Sequence, residues 1–141
     1  IKQAVPFFWV SDIQKTIEFY SEGLGFQLTG QWAPGGKIQW CSLQRDRASL
    51  MLQEFWKEGP HVNVPSETLG VGLRIAFFCD DAISLYQEAK AKGLMAAEPF
   101  VGNQMWVTEM KDPDGYQLMF ESDTEVPEGT RYSDWLDRQD S

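Results

Sequence analysis

The feature that most constrains the fold is an internal repeat, because the second half of this 141-residue chain can be laid on the first. Three blocks align in the same order: residues 10–12 with 79–81, residues 40–46 with 106–112, and residues 49–52 with 117–120. Few aligned residues are identical. Three blocks in one order nevertheless indicate two copies of one structural unit.

The first copy is predicted to form a strand, a helix and three further strands. Asp12 follows an apolar run over residues 4–10, and its carboxylate can accept the backbone N–H groups that begin a helix. Apolar residues then recur at helical spacing up to Leu24, and Gly25 supplies a stop. The later strands are predicted over residues 26–32, 38–43 and 48–52.

The second copy repeats this order after a polar segment rich in Gly and Pro. An apolar run over residues 73–79 leads to the capping pair Asp80-Asp81 and to a helix over residues 83–92, which ends at Gly93. Strands over residues 105–110 and 116–120 flank Asp112-Pro113-Asp114-Gly115, a strong turn sequence. The repeat equates Trp40 with Trp106, and both are expected beneath the helices or at a dimer contact.

These elements predict an α+β fold of two tandem βαβββ modules, which form a curved mixed sheet around a central cavity with the helices outside. One domain is expected over residues 1–121, followed by an acidic tail over residues 122–141 that packs on the domain or on a partner subunit. Within the domain, the predicted boundaries are residues 1–55 for module one, 56–71 for the linker and 72–121 for module two.

Composition excludes several classes of partner. The formal net charge of −9 argues against nucleic-acid binding, which needs a basic surface. No segment approaches the roughly 18 apolar residues of a membrane span. Cys41 and Cys79 lie in apolar runs and are expected to be buried thiols, which fits a reducing cytoplasm.

Six short motifs occur along the chain in a fixed order: Val5-Pro6, Val10-Ser11-Asp12, Phe19-Tyr20, Leu24-Gly25-Phe26, Ile75-Ala76-Phe77 and Asp112-Pro113-Asp114-Gly115-Tyr116. In this order they resemble the vicinal oxygen chelate superfamily. That superfamily includes glyoxalase I, extradiol dioxygenases, fosfomycin-resistance enzymes and bleomycin-resistance proteins. The resemblance extends from about Val5 to Glu121 and implies the same fold and a homodimer.

The resemblance also implies four positions at which enzymes of the family hold a divalent metal, usually with His and Glu. In this chain those positions hold Val5, Met51, Arg74 and Met119. None offers the carboxylate, imidazole or thiolate that divalent cations prefer, and an arginine would repel a cation. Glu54 lies three residues after Met51, so a register slip that used it would take a carboxylate from the opposite face of the strand. His61 is interpreted as a solvated linker residue, so no metal and no cofactor are predicted.

The predicted ligand is a small organic molecule held against side chains that share the cavity face of the strands. Aromatic rings and thioethers dominate this face and suit a flat or irregular apolar ligand. The alternative is that these side chains simply fill the space as core. The predicted ligand-binding residues are Val5, Phe7, Trp9, Met51, Gln53, Arg74, Phe78, Glu109, Met119 and Glu121, with Val107 and Gln117 also predicted on this face.

Arg74 has two predicted roles that are compatible with one another. It can pair with Glu109 or Glu121, or it can bind a carboxylate, phosphate or phenolate of a ligand in place of a metal. Three functions are therefore open. They are a non-catalytic binding protein of the bleomycin-resistance type, a metal-free lyase or isomerase using Arg74 and a glutamate, and an interaction module with a vestigial cavity.

Overall fold

The secondary structure confirms the α+β class and the tandem βαβββ modules. The computed structural model describes residues 1–140, and the chain divides into two units, Ile1–Leu69 and the remainder from Gly70. Within the described residues, no helix is long and apolar enough to cross a lipid bilayer.

Module one is a four-stranded mixed sheet with one helical segment. In the sheet the strand order is β1-β4-β3-β2, with β1 parallel to β4 and the other pairs antiparallel. Asp12 caps the helix as predicted, because its Oδ1 accepts the backbone N–H of Lys15 at 3.1 Å. The elements are β1 (Phe7–Val10), α1 (Ile13–Glu18, continued by a π-helical turn over Phe19–Gly23), β2 (Gln27–Trp32), β3 (Trp40–Arg45) and β4 (Ala48–Glu54).

The two faces of this sheet differ in burial because side chains alternate along each strand. The face that packs against α1 carries the buried Phe8, Val10, Cys41, Leu43, Leu50 and Leu52. The opposite face carries half-buried or exposed side chains and is covered by no helix of residues 1–69. We call it the open face of module one; by strand register it holds Phe7, Trp9, Gln27, Trp40, Ser42, Gln44, Met51 and Gln53.

Module two repeats the arrangement with strand order β5-β8-β7-β6. Asp81 caps the helix through its Oδ1, which accepts the backbone N–H groups of Ile83 and Ser84. Gly93 follows the end of the helix and has a φ of 82°, a backbone conformation that residues other than glycine rarely adopt. The elements are β5 (Arg74–Phe78), α2 (Ala82–Ala91), β6 (Phe100–Gly102), β7 (Met105–Lys111) and β8 (Gln117–Asp123).

The helix-covered face of module two is fixed by hydrogen bonds at the start of α2. The Thr108 hydroxyl donates to the Ala82 carbonyl, and the Ala82 N–H donates to the Ser122 hydroxyl, both at 2.8 Å. Trp106 packs against Ala82 in the same buried cluster. The opposite face is the open face of module two, and it holds Arg74, Ala76, Phe78, Val107, Glu109, Gln117, Met119 and Glu121.

The segment after β8 packs on module two and ends in a third helix, α3 (Tyr132–Gln139), which the sequence did not predict. Tyr132 is only 9% exposed and contacts the rings of Trp106 and Trp135, and its hydroxyl accepts a hydrogen bond from Gln87 at 2.8 Å. The N–H of Val101 donates to the Thr130 carbonyl, so the same segment covers the edge of β6. Of the two placements predicted for the tail, the structure shows packing on the domain itself.

Strand register supports the repeat and corrects one of its alignments. Met51 lies opposite Phe7 and Ser42, whereas Met119 lies opposite Ala76 and Glu109. Ser42 therefore corresponds to Glu109, one residue later than the sequence alignment placed its equivalent. Met51 follows Ser42 by nine positions and Met119 follows Glu109 by ten, so the strand register contains one extra residue where the sequence alignment had placed two.

The prediction that Trp40 and Trp106 occupy equivalent positions is consequently wrong. Trp106 is buried beneath α2, as expected, but Trp40 lies opposite Gln53 on the open face of module one. A shift of one residue along a strand moves a side chain to the other face of the sheet.

Candidate functional site

The open face of module one brings four of the predicted ligand-binding residues together. Met51 lies opposite Phe7, and Gln53 lies opposite Trp9. The ring centroids of Phe7 and Trp9 are 5.9 Å apart at an interplanar angle of 60°. Phe7 is 41% exposed, and Val5 lies two residues before β1, where it is half-buried. The result is an apolar surface of two aromatic rings and a thioether.

Trp9 is supported by the residues that follow β4. The Phe55 ring stacks on the Trp9 indole at a centroid distance of 5.7 Å and an angle of 24°. The preceding Glu54 is buried, and each of its carboxylate oxygens forms an ion pair with one lysine. Oε2 lies 3.2 Å from Nζ of Lys37, and Oε1 lies 3.4 Å from Nζ of Lys57. The carboxylate thus joins the β2–β3 loop to the segment after β4, which holds Phe55 against Trp9.

The polar part of the same face lies on β2 and β3. Gln27 lies opposite Gln44, and the hydroxyls of Thr29 and Ser42 are hydrogen-bonded at 2.9 Å. A cavity of about 480 Å³ opens here; its lining residues are Gly25, Gln27, Thr29, Gln44, Arg45 and Asp46. The sequence prediction missed this region because the alignment of β3 with β7 was one residue out of register.

The open face of module two carries the other predicted residues and is more polar. Nη1 of Arg74 lies 3.6 Å from Oε1 of Glu109, so the first of the two predicted pairings is present. Met119 lies opposite Glu109, and Glu121 lies opposite Phe78, which is 73% exposed. Val107 is on this face as predicted, but it is buried next to Phe100.

The four positions implied for a metal do not fit a divalent cation. Met51 and Met119 occupy matching positions of β4 and β8, and they offer thioethers. Val5 offers no donor atom, and the Arg74 guanidinium is itself a cation paired with Glu109. Residues 1–140 contain no group of three or more His, Cys, Asp or Glu side chains arranged to hold a metal ion. This donor set lacks the oxygen and imidazole ligands that such ions require.

The family model for the Glyoxalase/Bleomycin resistance protein/Dioxygenase superfamily matches residues 2–120. The chain belongs to this superfamily. The structural similarity agrees with the assignment, since solved structures of the same fold cover most of the chain. No curated protein sequence matches the chain.

Three solved structures illustrate this likeness, and at these identities they show the fold alone. A bleomycin resistance determinant encoded on the transposon Tn5 is 23% identical, with a TM-score of 0.66 and coverage of 87% of this chain and 98% of its own. The protein SMU.1112c is 24% identical, with a TM-score of 0.67 and coverage of 86% and 100%. TnmS3, an antibiotic-binding protein from Streptomyces sp. CB03234, is 21% identical, with a TM-score of 0.62 and coverage of 86% and 97%.

Proposed function

We propose that this superfamily member binds an apolar or aromatic small organic molecule without a metal and without catalysis. The observation that carries the proposal is the open face of module one. There Phe7, Trp9 and Met51 present two rings and a thioether on a sheet surface that no helix of their module covers. Flat rings and flexible thioethers are the side chains that accommodate planar ligands.

Two further considerations support binding over metal-dependent chemistry. The residues at the family's metal positions offer no suitable donors. Structural relatives include proteins described as a bleomycin resistance determinant and an antibiotic-binding protein. Sequestration of a toxic compound, and hence resistance, is therefore the biological role that we propose, in a homodimeric cytoplasmic protein.

Isothermal titration calorimetry with a panel of planar aromatic compounds and bleomycin tests this proposal. At least one compound should bind, and Trp9→Ala and Met51→Ala should each weaken its binding by about tenfold, since each removes apolar contact area. Met95→Ala is the matched control, because Met95 is 93% exposed and lies between α2 and β6. Absence of binding across the panel, or equal losses in Met51→Ala and Met95→Ala, would contradict the proposal.

The Arg74–Glu109 pair favours one alternative, a metal-free lyase or isomerase. In this case the guanidinium would stabilise developing negative charge and the Glu109 carboxylate would transfer a proton. Products detected by mass spectrometry after incubation with the bound compound, at a rate unaffected by EDTA and abolished in Glu109→Gln, would support the alternative. Recovery of the compound unchanged would support simple binding.

A further inference from the structure

The open face of module one has two chemically distinct parts on one continuous surface. Phe7, Trp9 and Met51 form the apolar part on β1 and β4. Gln27, Thr29, Ser42 and Gln44 form the polar part on β2 and β3. Met51 lies directly opposite Ser42, so the two parts meet at the centre of the sheet.

The four side chains of the polar part are neutral amides and hydroxyls. Amide and hydroxyl groups both donate and accept hydrogen bonds, which is the pattern that a neutral polyhydroxyl group offers in return. The two charged residues at the edge of the cavity are of opposite sign, with Nε of Arg45 3.9 Å from Oδ2 of Asp46. The Arg45 guanidinium is also engaged locally, because its Nη1 donates to the Leu24 carbonyl at 2.7 Å.

Hydrogen bonds within module one hold three of the polar side chains, those of Thr29, Ser42 and Gln44. Nε2 of Gln44 donates to the Asp46 carbonyl at 2.9 Å, which leaves Oε1 of the same amide directed elsewhere as an acceptor. Ser42 is held by Thr29, and a Cβ at Gly30 would come within 2.9 Å of the Ser42 hydroxyl. Gly30 therefore leaves the space in which the Ser42 hydroxyl lies. Side chains fixed in advance lose less entropy when they bind.

The dimensions of the surface set the size of the ligand. Adjacent strands lie about 4.8 Å apart and residues rise about 3.4 Å along a strand, so Phe7 and Gln44 are separated by roughly 12 Å. A ligand that contacts both parts must therefore be about as long as two or three fused rings with a polar substituent. The cavity of about 480 Å³ at the polar end is large enough for a single sugar ring.

We infer that the ligand class is an aromatic compound bearing a neutral polyhydroxyl group, such as an aryl glycoside. Its rings lie on Phe7, Trp9 and Met51, and its hydroxyls bind Gln27, Gln44 and the Thr29–Ser42 pair. The inference rests on the proposed function, because it specifies what the same open face binds. In this inference the polar part selects the substituent of the ligand, and the apolar part provides the affinity for its rings.

The test compares a dihydroxyanthraquinone with its mono-O-glucoside by isothermal titration calorimetry. We expect the glucoside to bind about tenfold more tightly than the aglycone, as two hydrogen bonds would provide. The double variant Gln27→Leu/Gln44→Leu should lose this preference while it still binds the aglycone. Gln31→Leu is the matched control, because Gln31 is also on β2 but pairs with the buried Cys41 on the opposite face.

Each outcome bears on a different statement. Equal affinities for aglycone and glucoside, or an unchanged preference in Gln27→Leu/Gln44→Leu, would overturn the inference and leave the proposed function in place. Binding of neither compound would count against both. An anionic sulfate conjugate that binds more tightly than the glucoside would also overturn the inference, since it would assign recognition to a cationic group.

Discussion

The burial of the Glu54 carboxylate predicts that two surface lysines do not contribute independently to the free energy of unfolding. Its side chain is only 6% exposed, and each oxygen is paired with one lysine, Lys37 at 3.2 Å and Lys57 at 3.4 Å. Both lysines are themselves largely exposed. The perturbation is to replace them by Met, singly and together, which removes the charges and retains most of the aliphatic stems.

The structure indicates that the two losses are not additive. Either single variant leaves the carboxylate with one partner, and the expected cost is about 0.5–1 kcal/mol, typical of pairs with an exposed lysine. Lys37→Met/Lys57→Met leaves a buried charge without compensation, for which the cost is about 3 kcal/mol or more. Adding Glu54→Gln to this double variant should recover part of the loss, because a neutral amide is less costly to bury.

Urea unfolding followed by tryptophan fluorescence measures these free energies. Lys2→Met is the control, because Lys2 is exposed near the start of the chain, before β1. A double variant whose cost equals the sum of the two single costs, or a triple variant no more stable than the double, would refute the reasoning. Either result would mean that water solvates Glu54 despite its burial.

Three other predictions concern separate parts of the chain. Arg74→Met and Glu109→Gln should each change the free energy of unfolding by less than about 1 kcal/mol in a urea titration, because this pair is partly exposed; a loss above 2 kcal/mol would contradict this. Tyr132→Ala should cost about 3 kcal/mol in the same assay, since the ring is buried against Trp106, and a neutral effect would show that α3 does not stabilise module two. Burial raises the pKa of the Cys41 thiol from an ordinary value near 9 to about 11, although a backbone hydrogen bond at Leu52 opposes the shift. The buried neutral thiol stabilises the folded state below pH 9, and this stabilisation is lost as pH rises toward 11. Between pH 8 and pH 10.5 the free energy of unfolding should therefore fall by about 2 kcal/mol more in the wild type than in Cys41→Ala. Equal decreases in the two proteins would contradict the raised pKa.

Features that depend on local sequence were predicted well. Asp12 and Asp81 cap their helices because a carboxylate directly before a helix can accept the free backbone N–H groups of its first turn. The turn at Asp112 also forms as expected, since Oδ1 accepts the N–H groups of Asp114 and Tyr116, and Gly115 adopts a positive φ of 93°. In each case a few neighbouring residues determine the conformation.

Features that depend on tertiary contacts were predicted less well. The strand β6 has only three residues, too few to show an alternating pattern, and its edge pairs with the later segment at Thr130. The helix α3 has a polar composition, and it is held by the aromatic contacts of Tyr132. The polar part of the open face was missed because the sequence alignment placed two extra residues between β7 and β8, whereas the strand register contains one.

The separation of each sheet into a helix-covered face and an open face has a consequence for how proteins of this architecture diverge. In module one, Leu52 is fully buried while its neighbours Met51 and Gln53 are half-buried, so adjacent residues of one strand meet different physical constraints. A substitution at Met51 changes the chemistry of the open face, whereas a substitution at Leu52 changes the packing of the core. The open face can therefore change its chemistry at a smaller cost in folding free energy than the core can.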